Sequence, residues 1–237
     1  MNQGFIDPEL LLSLGAVDGL AGLEVEPDGG LRLGAMVTHR AVERAPATAA
    51  WPALRHAFGL VASPRVRTMA TVGGVLADAD YASDPPAMLA ALDARAVLRS
   101  PAGEREVAIG ELIRGHYETC IAPDELLVAV RVPPEPAAAV YRKFRSRSSE
   151  DRPCVAVAAV RGADGLRVVV GAVAGTPQHF PDVCALAGDG PPDVDAAAEI
   201  GRRYAERIAP IADARGSAAY RKRVIAVEVR RALEALA

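Results

Sequence analysis

The stretch ASPRVRTMATVGGVLADADYASDPPAMLAALDA, residues 62–94, decides the reading of this chain. Ser63-Pro64 is a helix-start signal, and apolar residues recur at helical spacing from Thr38 to Met69, with Thr38 placed to cap one segment. The sequence Thr71-Val72-Gly73-Gly74 then reads as a break that ends this helical stretch. Two adjacent glycines can adopt backbone angles closed to other residues, and they let main-chain N–H groups approach an anion with no Cβ in the way. The Thr71 hydroxyl would add a donor to a phosphate oxygen. Further on, Ser83 or Asp84 is placed to cap a helix over 85–92, whose prolines fall in the first turn, where a missing N–H costs little. A carboxylate at Asp84 can cap that helix or accept hydrogen bonds from ribose hydroxyls. Taken alone, TVGG equally describes a tight turn between helix and strand. It is neither a Walker loop, since no Gly-Lys-Ser/Thr follows, nor a GxGxxG turn.

On the N-terminal side, Asp7-Pro8 predicts a short helix over 8–14. Pro27-Asp28-Gly29-Gly30 predicts a hairpin joining 23–26 to 31–33. On the C-terminal side, a second hairpin is predicted around Pro101-Ala102-Gly103, and a strand over 125–132 is stopped by Pro133-Pro134. The proline-rich run 133–139 is the best boundary and divides the chain into residues 1–133 and 134–237. Beyond it come strand-like runs at 140–145, 154–161 and 166–173, the last two joined by Gly162-Ala163-Asp164-Gly165. Helices follow at about 192–208 and 217–236, the final one amphipathic. Mixed strands and helices in two blocks give an α+β fold.

The 237 residues are 51% hydrophobic but only 4% aromatic, so Ala, Val and Leu must fill the core. A net charge of −3 with no long basic run argues against nucleic acid as a partner. Cys120, Cys154 and Cys184 are widely spaced, and His39, His56, His116 and His179 form no ligand pattern, which disfavours a disulfide framework or a zinc site and suits a reducing cytoplasm. No segment reaches the roughly 20 apolar residues needed to span a bilayer. No Ser/His/Asp or Cys/His grouping suggests a nucleophile, so no catalytic side chain is assigned.

The 62–94 run closely resembles the flavoprotein, or medium, subunits of molybdenum hydroxylases of the carbon monoxide dehydrogenase and xanthine dehydrogenase type. The resemblance continues through Asp124-Glu125-Leu126-Leu127, Val132-Pro133, Tyr141-Arg142-Lys143-Phe144, Arg147, Glu150-Asp151 and residues 213–222, DARGSAAYRK. It implies an FAD-binding domain of the vanillyl-alcohol-oxidase or molybdopterin-dehydrogenase type (PCMH-type), followed by a flavoprotein C-terminal domain with a small sheet and helices. It also implies FAD as cofactor, held by Thr71, Val72, Gly73, Gly74 and Val75 at the pyrophosphate, with Asp84 on the adenosine side and Leu127 and Lys143 near the flavin. The implied partners are a large molybdopterin subunit and a small subunit carrying 2Fe-2S clusters, with FAD relaying their electrons to an acceptor. Arg145, Arg147, Glu150 and Asp151 read either as a loop near the isoalloxazine or as a salt-bridged surface turn. Arg215 and Tyr220 read as anchors of the last helix or of a subunit contact.

The departures from the family pattern carry expectations of their own. Met1 aligns after the family's first subdomain, so the first pyrophosphate loop, of the form AGGT/HxL, is expected to be missing and FAD binding weakened. Val75 replaces a common Asn, Asp78 a frequent His, and Tyr81 a usual Pro. An aspartate at 78 pointing inward would repel a diphosphate. The alternative function is a non-catalytic assembly subunit whose cofactor site has decayed.

Overall fold

The computed structural model describes residues 8–148, 150–188 and 190–236. The first hairpin forms as predicted: β1 (Leu23–Val25) pairs with β2 (Leu31–Gly34), and the Asp28 carboxylate accepts from Gly30 N–H at 2.9 Å within the turn. Five helices follow: α1 (His39–Arg44), α2 (Pro52–Gly59), α3 (Pro64–Arg67), α4 (Val72–Asp78) and α5 (Pro85–Ala91). Next come the hairpin β3 (Arg95–Ser100) and β4 (Gly103–Ala108), a short helix α6 (Ile109–Leu112), a small ribbon β5 (Ile113–Gly115) and β6 (Glu118–Thr119), and β7 (Leu126–Val132). Strands β1-β2-β7-β3-β4 lie in that order in one antiparallel sheet. Its outer face carries exposed ion pairs, such as Arg131 with Glu26 at 2.7 Å and with Glu106 at 3.0 Å, which contribute little each.

The remainder builds a second antiparallel sheet, ordered β11-β10-β9-β8, from β8 (Ala138–Phe144), β9 (Val155–Gly162), β10 (Gly165–Gly171) and β11 (Gln178–His179). After it come α7 (Pro181–Cys184), α8 (Val194–Arg207) and α9 (Ala218–Glu234). Strand β9 explains the layering. Its run Val155–Val160 is buried on both faces, as an unbroken apolar strand with no polar alternation should be. Ala156, Ala158 and Val160 join the core made with Leu54, Phe58, Met88 and the inner face of the first sheet. Val155, Val157 and Ala159 face α8 and α9 across a second core. The small side chains let helix and sheet approach closely: a Cβ at Gly171 would lie 2.8 Å from that of Ala87.

Three expectations need correction. Residues 8–14 form no helix, and Leu10, Leu11 and Leu12 are 72%, 65% and 78% exposed; so short an apolar segment has no surface to stabilise a helical stripe. Its proposed cap, Asp7, lies outside the described residues. The Gly-Gly pair does not end a helical stretch but lies in the first turn of α4, and neither glycine has a positive φ. Asp84 occupies the position before α5, yet its side chain makes no capping bond. The sequence reading also missed the ribbon β5–β6, the two-residue β11 and the one-turn helices α6 and α7.

The last helix packs by the predicted stripe, but the stripe includes fully buried Arg221. Its guanidinium donates to the carbonyls of Cys154 (2.9 Å) and Ala172 and to Asp213 Oδ1 at 2.6 Å. Asp213 in turn accepts from Arg215 and from Tyr81 Oη at 2.6 Å, tying the 79–84 loop to the start of α9. Asp213 is held well below the usual carboxylate range by these donors, which outweigh its burial. Its contribution to stability is therefore full above the unfolded-state value near 3.9 and is lost as pH falls below it. Asp213→Ala should destabilise the fold by about 3 kcal/mol at pH 7, measured by denaturant unfolding, because it strands the buried Arg221 charge. The difference from wild type should shrink at pH 3.

Where α8 crosses α9, a Cβ at Gly201 would meet the Ala226 carbonyl at 2.4 Å. Gly201→Ala should therefore lower stability by about 2 kcal/mol, read from the same unfolding curves, since a backbone atom cannot move aside.

Candidate functional site

A cleft of about 530 Å³ opens beside the N-terminal end of α4. Val66 and Met69 form one wall, Thr71, Gly74, Val75 and Asp78 the next, and Asp84 with Lys143 lie on its floor. Asp151 and Arg152 form the far rim, and His39 lines the cleft as well. A larger recess, about 740 Å³, lies around the β9–β10 turn, but none of the sequence-predicted site residues lines it.

The α4 wall is built by a backbone zipper. Val72 N–H donates to the Val37 carbonyl at 2.9 Å and Gly73 N–H to the Ala35 carbonyl at 2.8 Å, with Thr71 bridged antiparallel to Thr38. The approach requires glycine at 73, because a Cβ there would stand 2.6 Å from that of Ala35. Thr71, in extended conformation, starts the helix, and its Oγ1 accepts from Gly74 N–H at 3.1 Å. Val75 N–H closes the turn onto the Thr71 carbonyl at 3.1 Å. The expectation that bare amides of residues 72–75 face an anion is thus corrected: all four already have protein acceptors. The cleft is offered instead the Thr71 hydroxyl proton and the exposed Gly74 surface, where a Cβ would crowd Thr71 Oγ1 at 2.8 Å.

The floor is a buried charge pair. Lys143 Nζ lies 2.8 Å from Asp84 Oδ2 and donates to the Leu60 carbonyl at 2.9 Å; the two side chains are 1% and 4% exposed. Tyr141 Oη donates to Asp84 Oδ1 at 2.8 Å. Burial pushes the Asp84 carboxyl up, with Lys143 and the Tyr141 bond opposing, and burial pushes the Tyr141 phenol well up. Asp84 and Lys143, assigned separately to adenosine and flavin, are therefore each other's partners, and they join α5, the end of α2 and the second sheet. Sequence reasoning missed Tyr141 as their third member, although its place two residues before Lys143 on one strand puts both on the same face.

Asp78 lines the cleft as feared, its carboxyl pushed up first by burial and then by the neighbouring Asp80. Buried Asp80 pairs with Arg152 and so tethers the far rim. Leu127 is a 7% exposed core residue paired with Leu98 in the first sheet and does not line the cleft. Arg147 donates to the Ala214 carbonyl at 3.0 Å, while Glu150 and Asp151 reach the rim. Arg215 anchors through Asp213 and Tyr81, and Tyr220 packs against Phe144 with ring centroids 6.3 Å apart. Among the described residues no group of His, Cys, Asp and Glu could hold a metal ion.

Residues 1–135 match the family model described as the FAD binding domain in molybdopterin dehydrogenase. The chain belongs to this family. Residues 139–236 match the CO dehydrogenase flavoprotein C-terminal domain. The chain is 33% identical to the nicotine 6-hydroxylase medium subunit of Paenarthrobacter nicotinovorans, over 98% of this chain and 84% of that one. It is 34% identical to the carbon monoxide dehydrogenase medium chain of Afipia carboxidovorans, over 99% and 83%. Among solved structures, carbon monoxide dehydrogenase from Hydrogenophaga pseudoflava superposes with a TM-score of 0.92 at 28% identity, covering all of this chain and 84% of that one. Quinoline 2-oxidoreductase from Pseudomonas putida 86 gives 0.91 at 28%, covering 99% and 84%. The family and the α+β architecture expected from the sequence are borne out.

The residues of this cleft fit one stretch of a dinucleotide through a hydroxyl donor, a wall without a Cβ and an apolar flank at Val66 and Met69. They do not form an amide cradle.

The floor yields a prediction. Lys143→Met should destabilise the fold by about 3–5 kcal/mol at pH 8 by leaving Asp84 charged and unpaired. Because burial then raises the Asp84 pKa further above its unfolded value, the penalty present above that pKa should fade as pH drops through it. The double variant Asp84→Asn/Lys143→Met should recover most of the loss, as a double-mutant cycle of unfolding free energies would record.

Proposed function

We propose that this chain is the FAD-binding medium subunit of a molybdenum-containing hydroxylase or dehydrogenase, working in the cytoplasm. Its partners are a large molybdopterin subunit and a small iron–sulfur subunit. The observation that carries the reading is the cleft beside Thr71 and Gly74 in a chain whose first 135 residues match an FAD-binding family. The redox chemistry is supplied by bound FAD, through which electrons from a partner's clusters leave for an acceptor. The protein's own work is to bind and orient. Thr71 donates its hydroxyl to a phosphate oxygen, and Gly74 lets that oxygen come close. Val75 and Met69 exclude water from the flank, and the neutralised Lys143–Asp84 floor gives a rigid base without a net charge. The chain is read as two parts, 1–133 and 134–237, and the adjoining family matches support that division. Leu127 is proposed to act, if at all, through its backbone. The assembly-only alternative is not favoured, since the relatives include subunits named for FAD binding.

Fluorescence titration with FAD tests the proposal. Saturable binding is expected, and Thr71→Val should weaken it about 10- to 100-fold through loss of one charge-assisted hydrogen bond. Co-expression with molybdopterin and iron–sulfur subunits should yield a complex containing flavin. A complex that forms without flavin, together with no saturable FAD binding, would overturn the reading.

A further inference from the structure

His39 was only one of four scattered histidines in the sequence, yet it is 1% exposed and lines the cleft. Its ring Nε2 lies 3.2 Å from the Thr71 carbonyl, and its backbone N–H donates to the Ala70 carbonyl at 2.9 Å. A carbonyl only accepts, so Nε2 must carry the proton. Burial pushes the imidazole down to about 4, so at neutral pH the ring has no second proton and Nδ1 holds a lone pair. That Nδ1 is buried and has no hydrogen-bond partner. The ring cannot swing to find one without cost, because it packs edge-on against Phe58 with centroids 5.0 Å apart at 86°. An unmet acceptor in a fixed ring at a ligand-sized cleft is a feature that packing alone does not account for.

Resting on the reading of this cleft as a flavin-dinucleotide site, we propose that His39 is a further binding residue whose Nδ1 accepts a hydrogen bond from an N–H or O–H of the bound dinucleotide. One ring then serves two ends: Nε2–H fixes the Thr71 carbonyl, and so the start of α4, while Nδ1 reads a donor on the ligand. The residue lies outside the glycine segment, and α1 brings it there because Thr38 both caps that helix and bridges to Thr71.

The test uses the full chain labelled with ¹⁵N-histidine and titrated with FAD, flavin fluorescence reporting binding in the same sample. The His39 Nδ1 resonance is expected to move upfield as the site fills, as an acceptor nitrogen does on gaining a hydrogen bond. His39→Gln, whose amide nitrogen can still reach the Thr71 carbonyl, should bind FAD up to about ten-fold more weakly. If FAD binds while Nδ1 stays unmoved, or His39→Gln binds within two-fold of wild type, the proposal fails and the cofactor reading stands. If no saturable binding is seen, both fail together.

Discussion

The cleft depends on one close approach of two backbones. Val72 and Gly73 hand their N–H groups to Val37 and Ala35, and glycine at 73 is the condition for it, since any Cβ would overlap Ala35. This contact fixes where α4 starts, which way Thr71 turns its hydroxyl, and how far the helix stands from α1. His39, the Thr38 cap and the Thr71 bridge all follow from the same register. The first glycine is thus spent on structure, and only the second borders open space. A Gly-Gly pair does two different jobs on adjacent residues.

The second constraint is the charge on the floor. An aspartate and a lysine as buried as Asp84 and Lys143 are tolerable only together, and Tyr141 and the Leu60 carbonyl complete their hydrogen bonds. The pair spans layers that the proline-rich run at 133–139 separates in sequence. The two blocks therefore share a core and a polar seam, which the Tyr81–Asp213–Arg221 network extends at the far end.

Much of this was legible in the residues, for identifiable reasons. Turns with forced chemistry were readable: Asp28-Gly29-Gly30, Pro101-Ala102-Gly103 and Ala163-Asp164-Gly165 each close a hairpin. The continuous apolar run of β9 announced a doubly buried strand, and Thr38 and Ser217 capped where expected. The family resemblance located the cleft wall. What failed was what depends on long-range partners. Residues 8–14 have helical spacing but nothing to pack on. Asp84 looks like a cap until Lys143 and Tyr141, nearly 60 positions away, take its oxygens. The amides of 72–75 looked free because their acceptors lie at 35–37 and 71, and His39 looked ordinary because its ring nitrogen becomes notable only once buried.

Hydrogen–deuterium exchange on the purified chain, with and without FAD, tests the account most directly. The Val72 and Gly73 amides should exchange slowly before any FAD is added, because they are already bonded to protein. Saturating FAD should then slow exchange in segments 39–44 and 66–76 that border the cleft. Rapid exchange at 72 and 73 in the free chain, or protection by FAD confined to segments away from the cleft, would contradict it.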